Sequence, residues 1–381
     1  MQSSEKFMRA LVLSLLVGSL TTGFAIGQAA SSAPASKSSK ESNPPQKSNS
    51  DIEPPPGATA GLPTGLDPKS HAPYYTLIQE DWSSLAIGAS KLEPQPPVVA
   101  ETFEGESFQR QLIMVQWRPG DAFDLYVVMP KGVKKPPAVL YLYNYSEDSD
   151  RFKNEEWCQR VTSGGAAAIG FVSALSGHRF HDRPMEQWFV SELQESLGST
   201  VHDVKFILDY LASRGDIDMD RIGMFGQSSG ATVALLAAAA DSRIKAVDAL
   251  DPWGDWPDWL AKSDVIGDDP HKDDYVKPEF LKKVANLDPV KYLPDLKNTK
   301  IRIQQVGDWG NPIETQDKIK EAAPKQAEVV RFATAMTLAR RESGGVLFQW
   351  IKDQLKEAPG SDKKADVIKA STTAVPSAGP Q

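Results

Sequence analysis

The sequence predicts an α/β fold in which a mainly parallel, twisted sheet carries helices on both faces and begins with an antiparallel hairpin. Short apolar runs alternate along the chain with segments of helical periodicity, which is the order expected for a parallel sheet. Two strand-like runs on either side of Pro119-Gly120-Asp121 indicate the hairpin. The 381 residues are 40% hydrophobic and 24% charged, so one large core can form.

Alternating strands and helices account for most of the chain from residue 108 to residue 355. Strands are predicted over residues 108–118, 122–129, 137–143, 166–174, 221–225, 244–250, 301–306 and 327–332. Helices are predicted over residues 154–163, 199–213, 231–240 and 348–355. The second of these helices has Ser199 or Thr200 as its N-cap.

The first 28 residues have the pattern of a cleavable secretory signal. Lys6 and Arg9 precede an apolar run over residues 10–20, and small residues follow it. The apolar run is too short to span a bilayer. We therefore expect export, to the periplasm or out of the cell, with no membrane span after signal cleavage. A frayed N-terminal helix of a cytoplasmic protein is the alternative.

Two polar segments flank the predicted domain. Residues 29–70 are rich in Ser, Pro, Lys and Ala and cannot bury enough apolar surface to fold, so they predict a disordered linker. Residues 359–381 are similarly small and polar and predict a disordered tail. The α/β domain itself is predicted over residues 71–358.

Composition argues against several classes of function. Cys158 is the only cysteine, so the sequence has no cysteine pair for a disulfide and no cysteine cluster for zinc or an iron–sulfur centre. The net charge of −8 at pH 7 argues against a nucleic-acid-binding surface. We expect no cofactor and no metal site.

One short motif carries chemistry. Residues 226–230 read GQSSG, with Ser228 between Gly226 and Gly230, after a predicted strand and before a predicted helix. A sharp strand-to-helix turn lifts a serine hydroxyl clear of the backbone, and glycines on both sides allow the strand and the helix to approach closely. The pattern in this context predicts a nucleophile elbow, whereas a glycine-rich turn without chemistry is the alternative.

Residues 203–230 (DVKFILDYLASRGDIDMDRIGMFGQSSG) resemble the α/β-hydrolase fold family, in particular its dienelactone-hydrolase and acetyl-xylan-esterase-like branch. The resemblance extends more faintly over residues 108–355. It implies Ser228 as the nucleophile and the backbone N–H of Ser229 as one oxyanion donor. The second donor would come from the loop after the third strand, which here contains Asn144 and Tyr145.

The sequence departs from the family pattern at the histidine that should follow the last strand. Residues 332–337 read FATAMT, which contains no group that accepts a proton near neutral pH. His178 and His181, after the strand over residues 166–174, are therefore the candidate bases, with Asp182 or Asp203 as the carboxylate that orients them. Metal binding by the two histidines is the alternative, although the sequence offers no convincing third ligand.

The acid of the family pattern is also displaced. Asp308 follows the strand over residues 301–306, although the usual spacing would place the acid at Gly310. Asp251, after the preceding strand, is the other candidate, together with Asp255.

A tryptophan-rich segment follows the strand that ends at residue 250. Trp253 and Trp256, with Gln227 of the motif, are candidates to line a substrate pocket for a sugar or an aromatic acyl group. The alternative is that the tryptophans pack a lid segment against the sheet.

The sequence thus favours an exported serine ester hydrolase that acts on a small-molecule ester or an acylated carbohydrate. A catalytically silent relative that binds a ligand or partner in the same pocket is the competing hypothesis, because the late histidine is absent.

Overall fold

The computed structural model describes residues 80–356, except for positions 91, 93, 119–120, 146, 148, 175, 177–178, 180–191 and 343–345. Within this part of the chain, the strands are β1 (Val98–Glu104), β2 (Phe108–Arg118), β3 (Asp121–Pro130), β4 (Ala138–Leu142), β5 (Ala167–Gly170), β6 (Ile222–Gln227), β7 (Ile244–Leu250), β8 (Lys300–Val306) and β9 (Glu328–Phe332). They form one sheet in the order β1-β2-β3-β5-β4-β6-β7-β8-β9.

The sheet is antiparallel from β1 to the β3–β5 pair and parallel from β5 to β9. The predicted α/β class, with its parallel sheet and opening hairpin, is therefore confirmed. Every residue of β4 and β5 is buried, as expected for parallel strands covered on both faces.

Helices connect the strands and cover the sheet. They are α1 (Glu155–Thr162), α2 (Leu193–Arg214), α3 (Ser229–Ala240), α4 (Trp256–Lys262), α5 (Lys272–Tyr275), α6 (Pro278–Val284), α7 (Pro289–Tyr292), α8 (Ile313–Ala322), α9 (Ala335–Glu342) and α10 (Gln349–Gln354). Short 3₁₀ turns lie at Ile87–Ala89, Asp150–Lys153, Ala285–Leu287, Leu293–Asp295 and Val346–Phe348.

Helix α2 begins earlier than the sequence predicts. Leu193, Leu197 and Val201 are buried at a spacing of four, which continues the apolar face toward the N-terminus. Ser199 is therefore not a cap: it lies inside the helix, where its hydroxyl donates to the Glu195 carbonyl at 2.6 Å. The prediction of an N-cap at this position is wrong.

Several elements were not predicted, among them strand β1 and the helices α8 and α9. Strand β1 forms the free edge of the sheet and is exposed along almost its whole length, so it lacks the alternation of buried and exposed residues that marks a strand. Helix α9 lies in the segment where the family pattern places its histidine. It has only eight residues, which is too short for a clear helical periodicity.

The predicted leader (residues 1–28), linker (29–70) and tail (359–381) lie outside the described residues and stay predictions. The described residues fall within the domain predicted over residues 71–358. In this part of the chain, no helix combines the length and the apolar character needed to cross a bilayer.

A buried ion pair links two neighbouring strands of the parallel part of the sheet. Asp248 and Arg302 are register partners on β7 and β8, and Arg302 donates to the two carboxylate oxygens at 2.9 and 2.7 Å. Gln304 donates to the same carboxylate at 3.0 Å. Burial raises the pKa of Asp248, and these hydrogen bonds act in the opposite direction. The pair thus holds a carboxylate at a depth where an unpaired charge is costly.

Replacement of Arg302 by methionine should lower the free energy of unfolding by about 3 kcal/mol, because Asp248 would stay buried without its cation. Urea unfolding measures the change. In an Asp248→Asn background the same substitution should cost less than half as much. An equal loss in both backgrounds would show that packing, and not the unpaired carboxylate, causes the destabilisation.

Candidate active site

The carboxyl ends of the parallel strands meet along one edge of the sheet, which is where α/β proteins bind ligands. Ser228 directly follows β6, Asp251 directly follows β7, and Asp308 lies two positions after β8. The loop of Asn144 and Tyr145 follows β4, the strand beside β6. The topology therefore brings the predicted nucleophile, the predicted oxyanion loop and both candidate acids to the same edge.

Ser228 occupies a strained turn between β6 and α3. Its φ is 52° and its ψ is −117°, a conformation that residues with a side chain rarely adopt. Its backbone N–H donates to the Leu250 carbonyl at 2.8 Å, and its own carbonyl accepts the N–H of Ala231 at 3.0 Å. The turn is thus fixed to the end of β7 on one side and to the first turn of α3 on the other.

The two glycines of the motif are required by close backbone contacts. A Cβ added at Gly226 would lie 2.2 Å from the Gly230 carbonyl oxygen, and a Cβ at Gly230 would lie 2.2 Å from the carbonyl oxygen of Leu142. Helix α3 therefore packs against β6 and the end of β4 without room for a side chain. The predicted reason for glycine at both positions is confirmed.

The predicted oxyanion loop is hydrogen-bonded to Ser229, the residue after the predicted nucleophile. The Tyr145 N–H donates to the Ser229 hydroxyl and to the Asn144 side-chain oxygen, both at 3.0 Å, and the Ser229 hydroxyl donates to Asn144 at 3.0 Å. These contacts place Asn144, Tyr145 and Ser229 together, as the resemblance implies. The Tyr145 N–H, one of the two predicted oxyanion donors, therefore already donates a hydrogen bond to the Ser229 hydroxyl.

Asp308 has a different partner from the one that a catalytic acid would have. Its carboxylate accepts the backbone N–H of Ala335 at 2.7 Å at the start of α9. The nearby Thr334 hydroxyl bonds to the Thr337 hydroxyl at 3.1 Å. Where the family pattern places a histidine, the chain therefore starts a helix, and the carboxylate stabilises its N-terminus.

Neither of the two described histidines is a candidate base. Both ring nitrogens of His202 are in use, with Nδ1 at 2.7 Å from a Glu80 carboxylate oxygen and Nε2 at 2.8 Å from the Ser84 carbonyl. His271 is exposed and lies 3.4 Å from Asp274. The predicted bases His178 and His181, and the predicted orienting residue Asp182, lie outside the described residues and stay predictions.

Asp203, the other predicted orienting residue, has other partners in this structure. Its carboxylate accepts hydrogen bonds from Arg118, from Arg179 at 2.8 Å and from the Trp117 indole at 2.6 Å. The side chain is fully buried. It therefore holds two arginines, and no described histidine contacts it.

Asp251 combines an unusual backbone with an unusual environment. Its φ is 54°, so the neighbouring strands β6 and β7 are both followed directly by a non-glycine residue of positive φ. Its carboxyl group accepts the Val306 N–H at 3.1 Å. Burial raises its pKa to about 7, although hydrogen bonds from Val306 and Asn311 act against the shift. A buried carboxyl that titrates near neutral pH is a common feature of functional sites.

The tryptophans pack on one another beneath the oxyanion loop. Trp253 and Trp256 are 2% and 1% exposed, and Trp253 stacks on Trp259 with ring centroids 4.7 Å apart. The Tyr145 ring meets Trp253 edge-on at 6.1 Å. These contacts match the packing alternative, whereas a pocket wall of Trp253, Trp256 and the half-buried Gln227 stays a prediction.

Two hydroxyl groups that the sequence did not single out support this edge of the sheet. Ser176 donates to the Tyr145 carbonyl at 2.7 Å. Thr232 donates to the Trp253 carbonyl at 2.8 Å and accepts the Trp253 N–H at 2.9 Å. Polar residues next to a predicted strand end were the available signal, but serine and threonine are too common there to be distinctive.

The sheet order, the strained serine and the glycine contacts together define a protein of the α/β-hydrolase fold. The sequence profile described as "Prolyl oligopeptidase family" matches residues 173–322, which include Ser228 and Asp308 but end before β9. The protein described as "Putative hydrolase YtaP", from Bacillus subtilis (strain 168), is 29% identical over 171 residues, or 40% of this chain and 57% of that protein. The chain thus spans a little over half the length of this curated relative.

Solved structures share the fold at low sequence identity. Acetyl xylan esterase 1 from Thermoanaerobacterium sp. JW/SL YS485 is 14% identical, with a TM-score of 0.51 over 70% of this chain and 89% of that chain. An acetyl xylan esterase from Paenibacillus sp. R4 is 18% identical, with a TM-score of 0.53 over 69% of this chain and 89% of that chain. The resemblance stated from residues 203–230 is therefore confirmed at the level of the α/β-hydrolase fold.

Among the residues that the structure describes, no group of three His, Cys, Asp or Glu side chains is arranged as metal ligands. His178 and His181 lie outside the described residues, so metal binding by these two histidines stays an alternative from the sequence.

Substitution of Asp251 by asparagine should change how stability depends on pH. The folded carboxyl keeps its proton up to about pH 7, whereas the unfolded carboxyl loses it near 3.8. Stability of the wild type should therefore fall as pH rises between these values. Relative to Asp251→Asn, the free energy of unfolding of the wild type should drop by about 3 kcal/mol between pH 5 and pH 8.

Urea unfolding at several pH values tests this dependence. Asp268→Asn, at an exposed carboxyl, is the matched control and should leave the slope unchanged. Parallel curves for the wild type and Asp251→Asn would contradict a raised pKa at position 251.

Proposed function

We propose that the protein is an exported serine ester hydrolase that acts on small acyl esters, such as acetylated carbohydrates. The observation that carries the proposal is the strained Ser228 turn, held between β6 and α3 beside the loop of Asn144 and Tyr145. Strain of this kind in a residue with a side chain is typical of functional sites. The likeness to acetyl xylan esterases in fold supports the choice of ester substrates.

In the proposed reaction, the Ser228 hydroxyl attacks the ester carbonyl carbon while a base takes its proton. The backbone N–H groups of Ser229 and Tyr145 stabilise the negative oxygen of the tetrahedral intermediate. The C–O bond to the alcohol then breaks, and the alcohol leaves with the proton. Water attacks the acyl-enzyme in the same way and releases the acid and the free serine.

His178 or His181 is the proposed base. Ser176, two positions before His178, donates to the Tyr145 carbonyl, and the Tyr145 N–H in turn contacts Ser229. Two residues of extended chain span at most about 7 Å, so a base at position 178 is within reach of this edge of the sheet. Asp251 is the preferred acid, because the Asp308 carboxylate already binds the start of α9.

A catalytically silent protein is the second candidate function, and three observations favour it. No histidine follows β9 in the sequence, Asp308 caps a helix, and the Tyr145 N–H is already bonded to Ser229. In this alternative the site binds a ligand without turning it over.

Ser228→Ala should reduce p-nitrophenyl acetate turnover by at least about 1,000-fold and abolish labelling by a fluorophosphonate probe, because the nucleophile is lost. Ser242→Ala, at an exposed serine, is the control and should keep both activities. Equal turnover in the wild type and Ser228→Ala would contradict the proposal that the protein is a serine ester hydrolase. Separate His178→Ala and His181→Ala variants identify the base.

Ser229→Ala should raise kcat/KM about fivefold, because it frees the Tyr145 N–H from one of its two acceptors at a net hydrogen-bond energy of about 1 kcal/mol. Steady-state kinetics with p-nitrophenyl acetate measure the effect. A decrease would show instead that the Ser229 hydroxyl helps to stabilise the transition state.

A further inference from the structure

A cluster of buried charges lies where the first described residues meet α2 and the end of the opening hairpin. Its side chains are at most 1% exposed. Buried charges are tolerated when each has a partner of opposite sign and good geometry. The members of this buried ion cluster are Glu80, Arg118, Asp121, Arg179, His202 and Asp203.

Among the described residues, the cluster contains three carboxylates and two guanidinium groups, and His202 completes it. Its Nδ1 faces the Glu80 carboxylate at 2.7 Å and its Nε2 faces the Ser84 carbonyl at 2.8 Å. His202 therefore contacts the segment after residue 79 through both ring nitrogens.

Glu80 is ionised in this arrangement. Burial disfavours the charge, but hydrogen bonds from Arg118 and His202 outweigh burial and lower the pKa of Glu80 to about 2. Arg118 binds its carboxylate through Nε at 2.6 Å and Nη2 at 2.7 Å. Glu80 therefore links the hairpin to α2 through Arg118 and His202.

The residues after Glu80 lie directly on α2. A Cβ added at Gly198 would be 2.3 Å from the Trp82 carbonyl oxygen, so the backbones touch. With the two contacts of His202, this fixes residues 80–84 along one face of the helix. We call this segment the N-terminal strap.

The cluster continues toward the candidate active site. Arg118 and Arg179 share the Asp203 carboxylate, and Arg179 also binds Asp121 at 2.9 and 2.7 Å. Arg179 donates to the Val172 carbonyl at 3.3 Å, and Ser176 binds the Tyr145 carbonyl. Val172 and Ser176, which follow β5, therefore contact the cluster and the loop of Tyr145, respectively.

We propose that Glu80 and His202 are positioning residues of the Ser228 site, acting through Arg118, Asp203 and Arg179 on the loop that contains Tyr145. The catalytic part of this inference rests on the proposed ester hydrolysis. Without the Glu80 charge, Arg118 and His202 lose a shared anionic partner. Arg118 then keeps Asp203 as its carboxylate partner, and the position of Asp203, which also binds Arg179, changes.

Glu80→Gln tests the inference, with Glu80→Asp as the charge-retaining variant and Arg302→Met as a control that destabilises the fold far from the cluster. Kinetics with p-nitrophenyl acetate and hydrogen exchange of peptides containing Tyr145 are measured for each protein. Glu80→Gln should lower kcat about tenfold with little change in KM, since small displacements of catalytic groups are costly. It should also speed exchange at Tyr145, whereas Glu80→Asp should restore most of both.

Unchanged kcat and unchanged exchange at Tyr145 in Glu80→Gln would overturn the inference. Equal effects in Glu80→Gln and Arg302→Met would also overturn it, since loss of stability alone would then explain both. If the wild type shows no Ser228-dependent turnover, the proposed function fails, but the exchange experiment still decides the inference. Exchange at Tyr145 that is faster in Glu80→Gln but not in Arg302→Met would then support positioning of the loop by Glu80 and His202.

Discussion

Helix α3 can follow β6 so abruptly because no side chain stands between the helix, its own strand and the end of β4. The contacts at Gly226 and Gly230 leave space for hydrogen alone. This close approach forces Ser228 into its strained conformation and brings Ser229 within hydrogen-bond distance of Tyr145. The Ser228 turn, the loop of Asn144 and Tyr145, and Trp253 beside this loop all depend on this one packing constraint.

The three carboxylates that the sequence offers as catalytic acids or orienting groups have different partners in the structure. Asp308, at the strand end where the family places its acid, is used as a helix cap. Asp251, one strand nearer to Ser228, is buried without a described cation and holds its proton to near neutral pH. Asp203 is bound by two arginines. Each carboxylate therefore has different partners, and burial raises the pKa of Asp251 to about 7.

The parallel part of the fold was predictable because each buried strand is a short apolar run between helices of clear periodicity. The elbow was predictable for the same reason, since GQSSG lies where a strand ends and a helix begins. Strand β1 was not, because an exposed edge strand leaves no alternating pattern. The early start of α2 was missed because Ser199 resembles a cap while its hydroxyl bonds within the helix.

The buried ion cluster was beyond sequence reasoning for a different reason. Arg118 lies 85 positions from Asp203 and 38 from Glu80, and charged residues usually lie at the surface. Only the folded topology brings them together. The contacts of His202 were hidden in the same way, because a histidine on a helix gives no sign of which groups will face its ring.

The helix cap at Asp308 limits how the site could be rebuilt. A histidine introduced after β9, for example at Thr334, would compete with the Ala335 N–H for the same carboxylate. The Ala335 N–H binds one oxygen of Asp308, so an added histidine would have to use the second oxygen if the first turn of α9 is to keep its anion. The same substitution would remove the Thr334 hydroxyl that bonds to Thr337, so a triad at this position depends on the geometry of the whole β9–α9 connection.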